Sequence, residues 1–293
     1  MPNNNKHVIY VWLDALINYL SALNFPNTND KLYKNFWPAS LHVIGKDILR
    51  FHAIYWPAFL LAADVEPPTR IFSHGWILSG EKKMSKSRGN ILNPLEIIKT
   101  YGIDELRYYL MKEVPHGSDG SISLKNLENC INSDLANNYG NLCQRVFSFI
   151  KNNCGNKVSK RKNISDSDKK LMEQTKKLTK DLRNEMDKQN LNNYIKSVIN
   201  ISFLTNKYIN DEEPWKLKKN NTEKMNNILH IALEQIVKIS ILLNPIIPEK
   251  SSKVLDALNI NTKLRNLAFL DGKNVIDDEI KIKKLDILFK KTT

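Results

Sequence analysis

The chain of 293 residues is 42% hydrophobic and 26% charged. That is the balance of a folded chain with room for about two domains, and no apolar run is long enough to read as a membrane span. Its 44 Lys and Arg against 31 Asp and Glu leave a net charge of +13, which suits a polyanionic partner such as nucleic acid, although the joint richness in Lys and Asn also fits an AT-biased genome and a solvated surface.

Cys130, Cys143 and Cys154 are odd in number and widely spaced. They read as reduced thiols of a cytosolic protein rather than a disulfide framework or a zinc site. The opening residues Met1–Lys6 carry no apolar signal region. His7–Trp12 is β-branched and aromatic, which predicts a buried strand. Asp14 follows at an N-cap position, and Ala15–Leu23 reads as a helix. Leu41–Gly45 predicts a second short strand, after which Asp47 opens an apolar helix from Ile48 to about Ala63. Ile71–Leu78 predicts a third strand that runs straight into Gly80–Asn90. Strand, helix, strand, helix, strand is the alternation of a parallel sheet with crossover helices, here half of a doubly wound α/β domain over residues 1–80. Ligands of such sheets bind beyond the carboxyl ends of the strands, where Trp12, Gly45-Lys46-Asp47 and the Gly80–Asn90 loop all fall.

A connector over residues 81–123 carries that loop, a helix from Asn93-Pro94 to about Thr100, a helix over Asp104–Leu110, and the turn His116–Gly120. From about Leu124 only helical spacing remains. Leu135, Tyr139, Leu142, Val146 and Phe149 form one apolar stripe, and Leu171, Leu178, Leu182 and Met186 a second. Tyr194, Val198, Ile199, Ile201 and Ile209 form a third, and Met225 through Val237 a fourth that ends at Asn244-Pro245. Residues 124–258 are therefore expected to be an all-α bundle, with Asn153–Asn163 as a basic loop and 259–293 as a tail without a functional signal.

Lys83 and Lys86 sit three apart on a hydroxyl-rich loop and can hold and neutralise a triphosphate. Gly80 and Gly89 let such a loop bend and close. A solvated basic turn is the ordinary reading of a Lys/Ser cluster, yet the string Lys83-Met84-Ser85-Lys86-Ser87 arises by chance in only roughly one chain in ten thousand of this length. By themselves Trp12, Tyr19 and His52 fit core positions as well as a pocket, and Asp47 fits a helix cap. Asn141 and Arg145 share a helix face beside the apolar stripe, where an amide and a guanidinium can read base edges or simply be solvated. Trp215 offers a stacking surface or an interhelical core residue. His7, His42, His74, His116 and His230 show no metal spacing and are assigned no chemistry.

The Lys83–Ser87 string resembles the ATP-binding signature loop of class I aminoacyl-tRNA synthetases. The stretches Tyr10–Tyr19, His42–His52 and His74-Gly75-Trp76 resemble methionyl-tRNA synthetases, and Asn141–Arg145 and Glu213-Pro214-Trp215 are similar to that family's anticodon-reading positions. The resemblance extends over essentially the whole chain to Leu288-Phe289. It implies the second half of a Rossmann-like sheet followed by an α-helical anticodon-binding bundle. It also implies a methionine pocket of Trp12, Ala15, Leu16 and Tyr19, closed by His52 near the substrate sulfur. The ATP site would take in Gly45, Asp47, Lys83, Met84, Ser85, Lys86 and Ser87, with Asp47 near the adenosine or the substrate ammonium. Asn141, Arg145 and Trp215 would meet the anticodon. The implied reaction uses ATP with Mg2+ to make methionyl-adenylate and then charges tRNA(Met). Lys86, supported by Lys83, stabilises the pyrophosphate charge, and no side-chain nucleophile is required. A cytoplasmic monomer without membrane contact is expected.

The family's His-Ile-Gly-His-type motif and zinc-bearing insertion do not occur in this sequence. The chain is accordingly expected to be a fragment lacking the N-terminal half of the catalytic domain, with any zinc site in that half and an N-terminal third that folds poorly alone. A split-gene product and a mis-called start are the alternatives. Two other functions compete: a non-catalytic tRNA-binding module using the bundle, and a synthetase for another large apolar amino acid. Trp12, Tyr19, His52 and Trp215 favour methionine over the last.

Overall fold

In the computed structural model, residues 4–8, 10–79, 82–83, 92–270, 276 and 279–292 are described. They form two compact units, Met1–Ile77 with Gly117–Gly120, and Leu78–His116 with Ser121–Thr293.

The first unit opens on helix α1 (Val11–Ser21), with Asp14 inside its first turn and Tyr10 at the N-cap. This corrects the expected strand over His7–Trp12. A lone β-branched segment gains nothing without a neighbouring ladder, and among the described residues no strand pairs with it. The helical spacing of Trp12, Leu16, Tyr19, Leu20 and Leu23 wins instead, because it lays one face on a core of Leu16, Leu20, Trp37, Trp56, Leu60 and Val65. Helix α2 (Lys31–Phe36) is capped by the Asp30 carboxylate, which accepts from the Leu32 amide. Strand β1 (His42–Gly45) pairs in parallel with β2 (Ile71–His74), His42 opposite Ile71 and Gly45 opposite His74. The crossover between them is a tight 3-10 turn at Lys46–Ile48, a π-helical turn at Phe51–Tyr55, and helix α3 (Trp56–Ala62).

The expected third strand is broken at Gly75-Trp76 into β2 and β3 (Ile77–Ser79). There the backbone of Ser118 and Asp119 presses against Gly75 so closely that a Cβ would sit 2.1 Å from the Ser118 carbonyl carbon. The Trp76 amide, which a continuous strand would offer to a ladder, donates to Asp119 Oδ1 at 2.9 Å.

In the second unit β3 continues into an antiparallel pairing with β4 (Lys82–Lys83), Leu78 opposite Lys83. Asn93 caps α4 (Pro94–Tyr101), and α5 (Ile103–Glu113) follows across Gly102. A short strand β5 (Gly120–Ile122) precedes α6 (Leu124–Cys130), which runs through a π-helical stretch, Ile131–Gly140, into α7 (Asn141–Asn153). The expected loop over Asn153–Asn163 contains strand β6 (Lys157–Val158), which a periodicity argument misses because its partner is far along the chain. The remaining helices are α8 (Asp166–Thr179), α9 (Leu182–Asp187), α10 (Leu191–Glu212), α11 (Pro214–Leu217), α12 (Thr222–Leu243), α13 (Pro248–Ala257) and α14 (Leu267–Leu270). Strand β7 (Ile280–Lys281) closes the set by pairing with β6.

The expected Leu171–Met186 helix is therefore two helices, α8 and α9, parted at Lys180-Asp181. Helix α12 is long and apolar enough to cross a membrane by length and composition, but it lies buried as the central core helix of the bundle. The tail joins the same core through Ile280, Ile282, Leu288 and Phe289.

Candidate functional site

In the first unit an aromatic nest lies over the junction of α1, β1 and the crossover helix. Trp12 stacks flat on Phe51, ring centroids 3.9 Å apart, with His52 edge-on to Trp12 at 6.1 Å. The Tyr19 hydroxyl meets His52 Nε2 at 2.9 Å, and His52 Nδ1 lies 3.0 Å from the Ile48 carbonyl. A carbonyl can only accept, so in the neutral ring Nδ1 carries the proton, Nε2 accepts, and Tyr19 donates. The turn Lys46–Ile48 thus fixes the tautomer of a buried imidazole, and the imidazole fixes the tyrosine. Tyr19 is partly buried, and desolvation pushes its phenol above the usual value. Leu16 is 1% exposed and belongs to the core beneath this nest, whereas Ala15 is exposed.

Sequence reasoning missed the second tier. His42, assigned no chemistry above, lies 4.4 Å from the Tyr19 ring and 6.3 Å from His52; Trp37 packs beside it, and Trp56 packs on Trp37. Burial, with the His52 ring as a lesser cause, holds the His42 pKa below the ordinary histidine value. Among the described residues its Nε2 is buried without a hydrogen-bond partner, as is Trp56 Nε1.

At the carboxyl end of β1 the chain turns on Gly45, where a Cβ would meet Asp47 Oδ1 at 2.7 Å. The exposed Asp47 carboxylate therefore folds back over Gly45, inside the 3-10 turn rather than at its cap. Lys46 reaches Asp119 at 2.6 Å and rides 4.1 Å over the Trp76 ring. Asp119 accepts from Lys46 and from the Trp76 amide, and both hold its pKa below the usual carboxylate value. No local signal in Gly117–Gly120 announced that role. Of the loop itself, Lys83 falls on the backbone of β4, while Met84, Ser85, Lys86 and Ser87 lie outside the described residues.

In the second unit Asn141 and Arg145 stand on α7, Asn141 exposed. Arg145 is not a loose solvated side chain. Its guanidinium donates to Asn210 Oδ1 at 2.7 Å and to Asn206 Oδ1 at 3.4 Å, and lies 5.8 Å from the Trp215 ring. Asn206 in turn donates to Asn138 Oδ1 at 3.1 Å. Asn206 and Asn210 are four apart on α10, a spacing visible in the sequence but buried among many other asparagines. Trp215 is 43% exposed, so it is no interhelical core residue. It follows Glu213, held in the left-handed region at φ 45°, and Pro214, which together turn the chain from α10 into α11.

Residues 1–147 match the family described as tRNA synthetases class I (M), and residues 158–293 match the anticodon binding domain of methionyl tRNA ligase. The methionine–tRNA ligase of Brucella suis biovar 1 is 42% identical over 268 residues, covering 92% of this chain and 52% of that protein. That of Rickettsia felis is 43% identical over 290 residues, covering 96% and 56%. The crystal structure of Mycobacterium tuberculosis methionyl-tRNA synthetase bound by methionyl-adenylate aligns with a TM-score of 0.91 at 37% identity, over 99% of this chain and 57% of that one. Its apo form aligns at 0.90 and 34% identity, over 100% and 58%. The chain spans a little over half the length of these relatives. With family matches over both its α/β part and its helical part, the chain belongs to the methionine-type class I tRNA synthetases.

Proposed function

We propose that this chain is the portion of a methionine–tRNA ligase that carries the methionine pocket, the lysine loop and the anticodon-reading bundle. The observation that carries the reading is the Ile48–His52–Tyr19 hydrogen-bond chain beside the Trp12–Phe51 stack. It offers a flat apolar wall for a linear thioether and one positioned polar edge to orient the substrate. Trp12 and Tyr19 line the pocket, Ala15 and Leu16 border it, and His52 closes it. Gly45 and Asp47 meet the nucleotide, together with Lys83, Met84, Ser85, Lys86 and Ser87.

The methionine carboxylate attacks the α-phosphate of ATP, giving methionyl-adenylate and pyrophosphate. The acyl group then passes to the terminal adenosine of tRNA(Met). The protein's part in such a transfer is alignment and stabilisation of charge on the leaving pyrophosphate, assigned to Lys86 with Lys83 in support. Mg2+ enters with the ATP phosphates. On this reading any zinc site lies in the half of the relatives that this chain does not span. Asn141 and Arg145 read the anticodon bases, and Trp215 stacks on one. The assembled ligase is a cytoplasmic monomer in which an N-terminal half completes the catalytic domain.

The test is methionine-dependent pyrophosphate exchange by the 293-residue chain, alone and mixed with the N-terminal half of the Rickettsia felis relative. Exchange in the mixture that is specific for methionine and lost in Lys86→Ala supports the reading. Exchange with another apolar amino acid in preference to methionine overturns it. One observation favours a second reading, a non-catalytic tRNA-binding module. The bundle has a continuous buried core, while the first unit leaves Val11, Phe36, Val43, Ile54 and Leu61 more than half exposed. Binding of tRNA with no exchange in any mixture would select it.

A further inference from the structure

We propose that the terminal segment Lys283–Lys291 is a second wall of the RNA-binding face, gripping backbone phosphates of the strand whose bases α7 meets. This rests on the anticodon-binding reading above and extends it to the residues of the terminal segment, which lie within the anticodon-binding family match.

Two grooves flank the exposed edge of α7, and Gln144 lines both. One is walled by Lys151 and by Lys283 and Lys284, the other by Asn141 and by Lys290 and Lys291. The line Asn141, Gln144, Lys151 along α7 is thus faced on its outer side by the tail. Five lysines border the grooves against one carboxylate, Asp286. That carboxylate is taken up by Lys284 at 2.8 Å. Lys283, Lys290 and Lys291 are exposed and have no carboxylate partner among the described residues.

The segment is also held in place rather than loosely attached. The Lys283 amide donates to the Ala257 carbonyl at 2.8 Å, and the Ile282 amide to the Asn156 carbonyl at 2.9 Å. Asn132 exchanges two hydrogen bonds with the Thr292 backbone, at 3.0 and 2.9 Å. Between these ties Leu288 and Phe289 are buried, with the Phe289 ring 6.2 Å from that of Tyr139. Lysines on a tethered strand lose less freedom on binding than lysines on a free tail. Lysine is a point charge suited to phosphate rather than to base edges, so the segment adds affinity and register while α7 keeps the sequence reading. An acidic protein would fit the charge alone. Continuity through Gln144 with the amide and guanidinium stripe of α7 favours RNA.

The experiment is binding of a CAU-anticodon tRNA to the full 293-residue chain between about 50 and 200 mM salt. The triple variant Lys283→Gln, Lys290→Gln, Lys291→Gln is compared with a control on α8, Lys176→Gln with Lys177→Gln, and with Trp215→Ala. The triple variant is expected to weaken binding at least about tenfold and to flatten the salt dependence by about two units of slope, near 0.7 per single-strand phosphate contact. Its preference for CAU over an altered anticodon is expected to stay unchanged, and the control to bind as the parent does. Trp215→Ala is expected to weaken binding and erode that preference. A triple variant that binds like the parent while Trp215→Ala is impaired overturns the tail proposal and leaves the anticodon reading standing. Equal losses in the triple variant and the α8 control also overturn it, since net charge would then suffice. If neither Trp215→Ala nor the triple variant alters binding, the anticodon reading falls and the tail proposal with it.

Discussion

Tyr19 and His52 matter as a pair, because each decides what the other presents. With the Ile48 carbonyl claiming Nδ1–H, the His52 Nε2 lone pair accepts from the Tyr19 hydroxyl. Tyr19→Phe removes that donor while keeping the ring, and a hydrogen bond of this kind is worth about 1 kcal/mol. The expected outcome is a rise of roughly fivefold in the methionine KM of the completed enzyme with kcat little changed, measured by pyrophosphate exchange. His42 gives a second prediction at this scale. Its folded pKa lies below the unfolded value of about 6.5, so the folded unit binds fewer protons than the unfolded chain as pH falls below that value. The stability of the first unit is therefore present above about pH 6.5 and declines as the pH drops through the folded pKa. His42→Gln is expected to flatten that decline, read by amide exchange of β1 and α1 between about pH 7.5 and 5.5. Trp12, Tyr19 and His52 were grouped in the sequence by one resemblance, and the structure brings their rings together around His52. His42 was not, since its significance comes from which rings pack on it rather than from its neighbours in the chain.

At the scale of elements, Gly140 shows how a single missing Cβ links the bundle to its tail. Its backbone is ordinary helix, so conformational freedom is not the issue. A Cβ there would lie 2.8 Å from the Leu135 carbonyl oxygen and 3.1 Å from the Phe289 ring. Gly140→Ala is expected to destabilise the second unit by about 1–3 kcal/mol through overpacking. Amides around Phe289 should lose protection before those of α12, and hydrogen exchange resolved by residue checks the order. The helical stripes of α7, α10 and α12 were readable because a 3.6-residue period survives in sequence whatever packs against it. Strand identity at His7–Trp12 was misread because a strand exists only with a partner. The break at Gly75-Trp76 was invisible because it is imposed by the backbone of Ser118 and Asp119, more than forty residues away. β6 was missed for the same reason, its partner β7 lying more than one hundred residues on.

Over the whole chain the two units differ in how much of their apolar surface they hide, each taken by itself. The second buries a continuous core from Ile97 to Phe289, with Leu135, Tyr139, Leu142, Ile236 and Val237 at 0% exposure. The first centres on Leu16, Leu20, Trp37, Trp56, Leu60 and Val65 and, among the described residues, has a parallel sheet of two strands, β1 and β2. Parallel sheets are normally covered on both faces, and exposed apolar patches of this kind mark an interface. Tyr10, Val11, Phe36, Val43, Ile54 and Leu61 are each more than half exposed, and the relatives are nearly twice as long as the segment they share with this chain. Amides of α10 and α12 are therefore expected to exchange through the highest-energy openings of the molecule, and those of α1, β1 and β2 through much cheaper local ones. Adding the N-terminal half of a relative should slow exchange across β1 and the exposed side of α1 while leaving α12 unchanged. A single transition with equal protection in both units, unaffected by that half, would mean that the first unit is already complete. The exposed apolar residues would then have to be explained as ordinary surface.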